Sequence, residues 1–225
     1  QSQRLLHLRG RPKILLTPNY ETAQKFFKQF KRNMIGVISD VRFPRKGTKY
    51  SEAGLDFAKW AREIDPSIPI LLQSTQKENE KMADEVNANF LHKNSPTLLN
   101  DLRDFMVANF GFGDFVFRLP NNEEVDRAST LEQFVNGIQT IPVNSLLFHA
   151  NSHHFSNWIA ARTEFRLASR LRKIFAHDFK DGELLRNHLI KELNLNIDNS
   201  KEKFLDYKSS KVRAQKPNFF RLSGG

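Results

Sequence analysis

The sequence predicts an α/β fold: an open parallel sheet alternating with helices, followed by a small, mostly helical α+β module. Three observations predict it. Short apolar runs recur at 12–17, 35–39, 68–73 and 89–92, and stretches of helical periodicity separate them. Each separating stretch can hold the crossover helix that parallel neighbours need. After Gly111-Phe112-Gly113 the pattern changes, and amphipathic helices follow one another with few strand signals.

Taken in order, Pro12-Lys-Ile-Leu-Leu-Thr17 reads as a buried strand, and Pro18-Asn19 turns the chain into a helix over 20–32. Ala23, Phe26, Phe27 and Phe30 recur at helical spacing and give that helix a face for the sheet. Strand 35–39 ends at Asp40. A polar loop over 45–50 leads to a helix at 51–63 with Leu55, Ala58 and Ile64 inward. Strand 68–73, helix 77–88, strand 89–92 and helix 96–109 complete the alternation, with right-handed crossovers expected. Gly111-Phe-Gly113 reads as a hinge, so one domain spans 1–111 and a second module spans 112–193.

In that module Phe115–Pro120 alternates like a strand, and Asn121-Asn122 turns it. Ser129, with Glu132 three positions on, reads as the capping box of a helix over 130–139. A second helix begins near Asn144. A third runs over 156–175, burying Trp158, Ala161, Phe165, Ala168 and Leu171 and turning Arg162, Arg166, Arg170 and Arg172 outward. Helix 182–193 follows, and 194–225 reads as a basic linker.

Composition bounds the chemistry. The 225 residues contain no cysteine, which excludes disulfides, thiolate catalysis and cysteine-ligated zinc. No long uncharged apolar stretch is present, so no membrane partner is expected. Arg4, Arg9, Arg11 and Lys13 interrupt the N-terminal leucines, and no secretory signal is visible; the expected compartment is the cytoplasm. The net charge of +10 is scattered over both halves, apart from the tail after Ser200, which weighs against a nucleic-acid partner. His149 and His153 stand at i, i+4, a spacing that suits a metal on one helix face. No third ligand is evident nearby, so they read as structural histidines.

Three strand-like runs place chemistry at their ends: Asp40 after 34–39, Ser74 after 68–73 and Lys93 after 89–92. In an open parallel α/β sheet those ends share the edge that carries binding sites. A carboxylate there can accept a phosphoryl group, a hydroxyl can contact its oxygens, and a lysine can offset its charge.

Asp40 with Pro44, Ser74, Phe90 and Lys93 resembles the phosphoacceptor, switch hydroxyl, switch aromatic and lysine of response-regulator receiver domains, over about residues 12–109. The whole chain is similar to the region ahead of the nucleotide-binding domain in bacterial phosphoenolpyruvate synthase and pyruvate, phosphate dikinase-like proteins. That second likeness rests on Gly36-Val-Ile-Ser-Asp-Val-Arg-Phe-Pro44, His92-Lys-Asn-Ser-Pro-Thr-Leu-Leu99, Phe110-Gly-Phe-Gly-Asp-Phe-Val-Phe-Arg-Leu-Pro120 and His154-Phe-Ser-Asn-Trp158. The resemblance implies a flavodoxin-like receiver whose Asp40 is phosphorylated by a histidine kinase or a small phosphodonor. It implies Mg2+ held by Asp40, the backbone carbonyl of Arg42 and an acidic pair. It also implies a downstream phosphotransferase domain in the same polypeptide, using ATP at a loop that Ser223-Gly-Gly opens. Asn94 departs from the proline usual after the lysine.

Only one βα unit precedes the strand of Asp40, where a receiver has two, and Pro18-Asn19 stand where strand 12–17 would otherwise offer the acidic pair. The chain therefore reads as a fragment, with the first strand and its acidic pair upstream. Two alternatives stay open: a DNA-binding response regulator, for which no tight turn between two short helices is evident, and a degenerate receiver serving only as a docking module. The chain offers no nucleophile–base pair and no complete phosphate loop, so an independent enzyme is the weakest reading.

Overall fold

The computed structural model describes residues 12–195. Asn19, in extended backbone, accepts a hydrogen bond from the Thr22 N–H at 2.9 Å and so starts helix α1, Tyr20–Phe30. A 3-10 turn, Lys31–Asn33, ends it. Strand β1, Val37–Asp40, follows, and then a two-stranded hairpin, β2 (Phe43–Arg45) and β3 (Thr48–Tyr50). Helix α2 covers Ala53–Ile64, β4 Ile70–Ser74, α3 Asn79–Glu85, β5 Asn89–His92 and α4 Leu98–Phe110.

The main sheet is parallel, in the order β1–β4–β5. Alternation along β4 divides its side chains between two faces. Ile70 and Leu72 join Tyr20, Phe27, Phe57 and Ala58 under α1, α2 and α3. Leu71 turns the other way and joins Leu91, Phe105 and Phe110 beneath α4. This is an α/β architecture with helices on both faces of a three-stranded parallel sheet.

The second unit has its own core. β6 (Phe115–Arg118) and β7 (Glu124–Ala128) form an antiparallel hairpin with an irregularity between Phe117 and Arg118. Helices α5 (Leu131–Thr140), α6 (Val143–Asn151), α7 (His154–Ala161), α8 (Phe165–Leu171) and α9 (182–195) pack around it. Phe115, Phe117, Phe134 and Trp158 make the aromatic centre, with Phe134 stacked on Trp158 at 4.6 Å between ring centroids. Arg186 is buried and donates to the carbonyls of Ile138 and Ile141, satisfying the C-terminal end of α5.

The two units are clamped together. Gly111 caps α4 in the left-handed region, and a Cβ there would lie 2.4 Å from the Trp158 Cα. The Arg162 guanidinium donates to the carbonyls of Gly111 (3.2 Å) and Gly113 (2.7 Å), and the Trp158 indole N–H donates to Gly113 at 3.1 Å. Arg172 reaches Asp65, just past α2, and α8 packs on the turn after α1. Helices in a parallel sheet run back against the strands, so these helix ends lie at the edge opposite Asp40.

Several expectations are corrected. Residues 12–17 form no strand: Ile14 and Leu16 are 86% and 85% exposed, because no described strand lies beside the run to pair with it. The polar loop 45–50 belongs to a hairpin, turned by Lys46 (φ 50) and Gly47 (φ 79). Gly111–Gly113, expected as a hinge, has the carbonyls of both glycines held by donors from Trp158 and Arg162. The capping box is Thr130 with Gln133, one position later than expected. The helix expected over 156–175 is broken at Thr163 (φ 64), and Arg162 and Arg172 turn inward to the junction. The expected basic linker and glycine-rich end lie outside the described residues from 196 on, as do residues 1–11.

Candidate functional site

The parallel register brings the strand ends together. Asp40 stands opposite Gln73, and Ser74 opposite His92, so Ser74 is one residue out of level with Asp40 on one side and with Lys93 on the other. Ser74 is on the middle strand. The Lys93 N–H donates to the Ser74 carbonyl at 2.8 Å, fixing where the lysine side chain begins. Its ammonium Nζ lies 2.7 Å from Asp40 Oδ1, with the two side chains 33% and 41% exposed.

The backbone beneath Asp40 is tightly held. The Gly54 N–H donates to the Val41 carbonyl at 2.8 Å, and a Cβ on Gly54 would lie 2.3 Å from the Asp40 carbonyl oxygen. Only a residue without a side chain lets the first turn of α2 approach so closely. The Ser39 hydroxyl donates to the same carbonyl at 2.9 Å. Beyond Asp40 the hairpin is anchored by Arg45, which pairs with Asp56 and lies 4.4 Å over the Tyr20 ring. At its tip the Lys46 N–H donates to Glu21 Oε1 at 3.0 Å, and backbone N–H groups hold that carboxyl below the usual range.

Ser74 is engaged. Its Oγ accepts from the Gln76 N–H at 3.1 Å and from Asn79 Nδ2 at 2.8 Å, leaving its own O–H as the group free to donate elsewhere. Phe90 is half-buried and packs with the cluster under α1–α3, so it lies on the sheet face away from α4. The Arg42 side chain is exposed, and its carbonyl accepts no backbone hydrogen bond among the described residues.

Asp40 is the single carboxylate in the turns 40–42, 74–76 and 93–95 that leave the three strands. Among the described residues no group of three His, Cys, Asp or Glu side chains is placed to hold a metal ion. Mg2+ requires near-octahedral oxygen donors. The remaining Asp40 oxygen and the Arg42 carbonyl offer two, so these residues fit the ion only if further carboxylates come from elsewhere.

His149 pairs with His154 and not with His153 at i, i+4. His149 Nε2 accepts from the Arg118 N–H at 2.7 Å, which puts its proton on Nδ1, and Nδ1 faces His154 Nδ1 at 3.0 Å. His154 is therefore the acceptor and carries its proton on Nε2. Burial pushes the His149 pKa down to about 3, helped by His154, and burial pushes that of His154 down to about 4. Both are neutral packing groups. His153 stands apart as the left-handed residue before α7.

A short helix, a three-residue turn and a second short helix do occur, at α7, Arg162–Glu164 and α8, where none was expected. A DNA reader needs free cations on the second helix. Here Arg170 of α8 pairs with Glu192 at 2.8 Å and the flanking Arg162 and Arg172 are spent on the junction, which leaves Arg166 as the one α8 cation without an ion pair among the described residues.

Asp40, Ser74 and Lys93 stand at neighbouring strand ends, as expected from the ends of the apolar runs. Sequence reasoning missed Gly54 and Asn79, which hold Asp40 and Ser74 in place. Asn79 had one usable signal, a polar residue at a helix start five positions after Ser74. No helix among the described residues is long and apolar enough to cross a membrane. No protein-family model, no curated protein and no solved structure matches the chain.

Proposed function

We propose that the first unit is the greater part of a flavodoxin-like receiver whose Asp40 accepts a phosphoryl group. The chain is then the regulatory region of a phosphotransferase similar to phosphoenolpyruvate synthase or pyruvate, phosphate dikinase. The observation that carries this reading is the 2.7 Å Asp40–Lys93 pair at the ends of two strands, with Ser74 on the strand between them.

The sheet itself supports the finer fold. From β1 through α2 to β4, and from β4 through α3 to β5, the chain advances in one direction with its helices on one face. Helix α1 lies on that same face and leads into β1, so a right-handed crossover puts 12–17 on the outer side of β1. The described residues show no pairing there, and Ile38 of β1 is 44% exposed. One parallel strand between 12–17 and β1 would fill that edge. Its own crossover to 12–17 runs the opposite way, so its helix would lie on the α4 face, over Ile38. Such a unit is also the natural source of the acidic pair for Mg2+.

In the proposed step an Asp40 carboxylate oxygen forms the new P–O bond while the donor's bond to phosphorus breaks. A phosphohistidine donor leaves with the electron pair on its imidazole nitrogen, which water then protonates. Lys93 moves from the carboxylate to the new phosphoryl oxygens, and the Ser74 O–H donates to them. The second unit grips the ends of α1, α2 and α4, which makes those helices the route to the attached phosphotransferase domain.

The test incubates the full-length polypeptide with a small acyl phosphate and Mg2+. The expected result is a hydroxylamine-sensitive mass increase of one phosphoryl group that Asp40→Asn abolishes. Equal absence in wild type and variant sinks the acceptor role and favours the second reading, a docking module. That reading draws on the single carboxylate these strand ends provide.

A further inference from the structure

We infer that the groove between α3 and the outer edge of β5 is the docking place for this chain's own basic segment, residues 208–216. Strand β5 ends the sheet among the described residues. The Lys93 N–H bonds toward β4, so by alternation the N–H groups of Phe90 and His92 point to the outer edge. An open edge of this kind is a template for one more strand. The groove beside it is lined by Glu80, Asp84, Asn87, Ala88, Asn89 and Phe90. Glu80 and Asp84 lie one helical turn apart, both exposed, and neither is ion-paired among the described residues.

Charge suits this occupant. Lys208, Lys211, Arg213 and Lys216 come with no acidic residue among them. Lys211-Val212-Arg213-Ala214 alternates charged with apolar, the pattern that suits an added strand with one face on acidic side chains and one on apolar neighbours. The side chain of Phe90 lies on the α3 face and that of Leu91 on the α4 face, so the cations would meet Glu80 and Asp84 while Val212 and Ala214 flank Leu91. The 12 residues from 196 to 207 reach at most about 40 Å. A body of this size has a radius of gyration of roughly 16 Å, so the tether's full length is comparable to the body's diameter. The proposal does not rest on the phosphoacceptor reading.

The test is amide hydrogen exchange on the full chain at low salt, read at Phe90 and His92. Both amides are expected to be protected in wild type. In Lys211→Glu/Arg213→Glu, and separately in Glu80→Lys/Asp84→Lys, they should exchange about tenfold faster or more. Combining the four substitutions should restore protection. The Leu91 amide, bonded to β4, should stay unchanged throughout and reports that the sheet is intact. Equal exchange in wild type and both double variants, or no restoration in the combined variant, overturns the proposal. Protection that rises with protein concentration overturns it in favour of a second copy.

Discussion

The guanidinium of Arg172, in the second unit, donates to the carboxylate of Asp65, in the first, at 3.3 Å, and to the Asn157 side-chain oxygen at 2.9 Å. Asp65 is itself held in place, since its other oxygen accepts from the N–H and hydroxyl of Ser67. Both members of the pair are 19% exposed, so water screens them less than it does a surface pair. Burial holds the Arg172 pKa below its ordinary value, with Asp65 opposing.

Truncation at this position should therefore cost more than a surface change. Arg172→Ala is expected to lower unfolding free energy by about 2 kcal/mol, measured by urea denaturation. Arg172→Lys should recover little of it, because one ammonium does not span both acceptors as the fork does.

The glycines of the junction are predicted to differ. Both have φ of +73°, but a Cβ on Gly111 meets the Trp158 backbone at 2.4 Å, while one on Gly113 has nothing nearer than 4.0 Å. Gly113→Ala pays only for its backbone conformation, about 1 kcal/mol. Gly111→Ala adds a backbone clash and should cost at least about 3 kcal/mol by the same denaturation assay.

Gly54 links stability to the candidate site. Gly54→Ala would put a methyl group 2.3 Å from the Asp40 carbonyl, so β1 and α2 must separate. The expected outcome is a loss of about 2 kcal/mol or more, together with shifted NMR resonances at Asp40 and Val41. Unshifted resonances would show that α2 gives way and the strand end does not.

Such relationships explain what could be read in advance. Strand β5 was legible to the residue because Asn89–His92 is an apolar run bounded by polar turns, and Asp40, Ser74 and Lys93 followed from run ends. The burial of 12–17 was misread because apolar composition signals burial only where a neighbour exists. The break at Thr163 carries no glycine or proline to announce it. Arg162 and Arg172 read as solvated on helical periodicity, but their partners lie 51 and 107 residues away, beyond any local pattern. Lys46-Gly47 was the overlooked signal of the hairpin.

The buried histidines predict an acid response. Unfolded, each titrates near 6.5; folded, His154 is pushed down to about 4 and His149 to about 3. Across that window the unfolded chain binds more protons, so stability is full above about pH 6.5 and falls as the pH drops toward 3. By pH 4.5 the pair should withdraw roughly 3 kcal/mol or more, seen as a falling urea midpoint. Their ring resonances should stay those of neutral imidazole until the protein unfolds. Ring titration near 6.5 in the folded state would contradict the hydrogen-bonded pair.

The Asp40–Lys93 pair should behave in the opposite way from Arg172–Asp65. Its side chains are 41% and 33% exposed, so water takes over the contact when either charge is removed. Asp40→Asn and Lys93→Gln are each expected to change unfolding free energy by less than about 1 kcal/mol. Under the phosphoacceptor reading the same substitutions act on chemistry: Asp40→Asn removes the accepting oxygen, and Lys93→Gln leaves the phosphoryl charge without its cation. Labelling should be lost in the first and fall at least about tenfold in the second. A stability loss of several kcal/mol from either substitution would mark the pair as a structural tie and remove the main support for that reading.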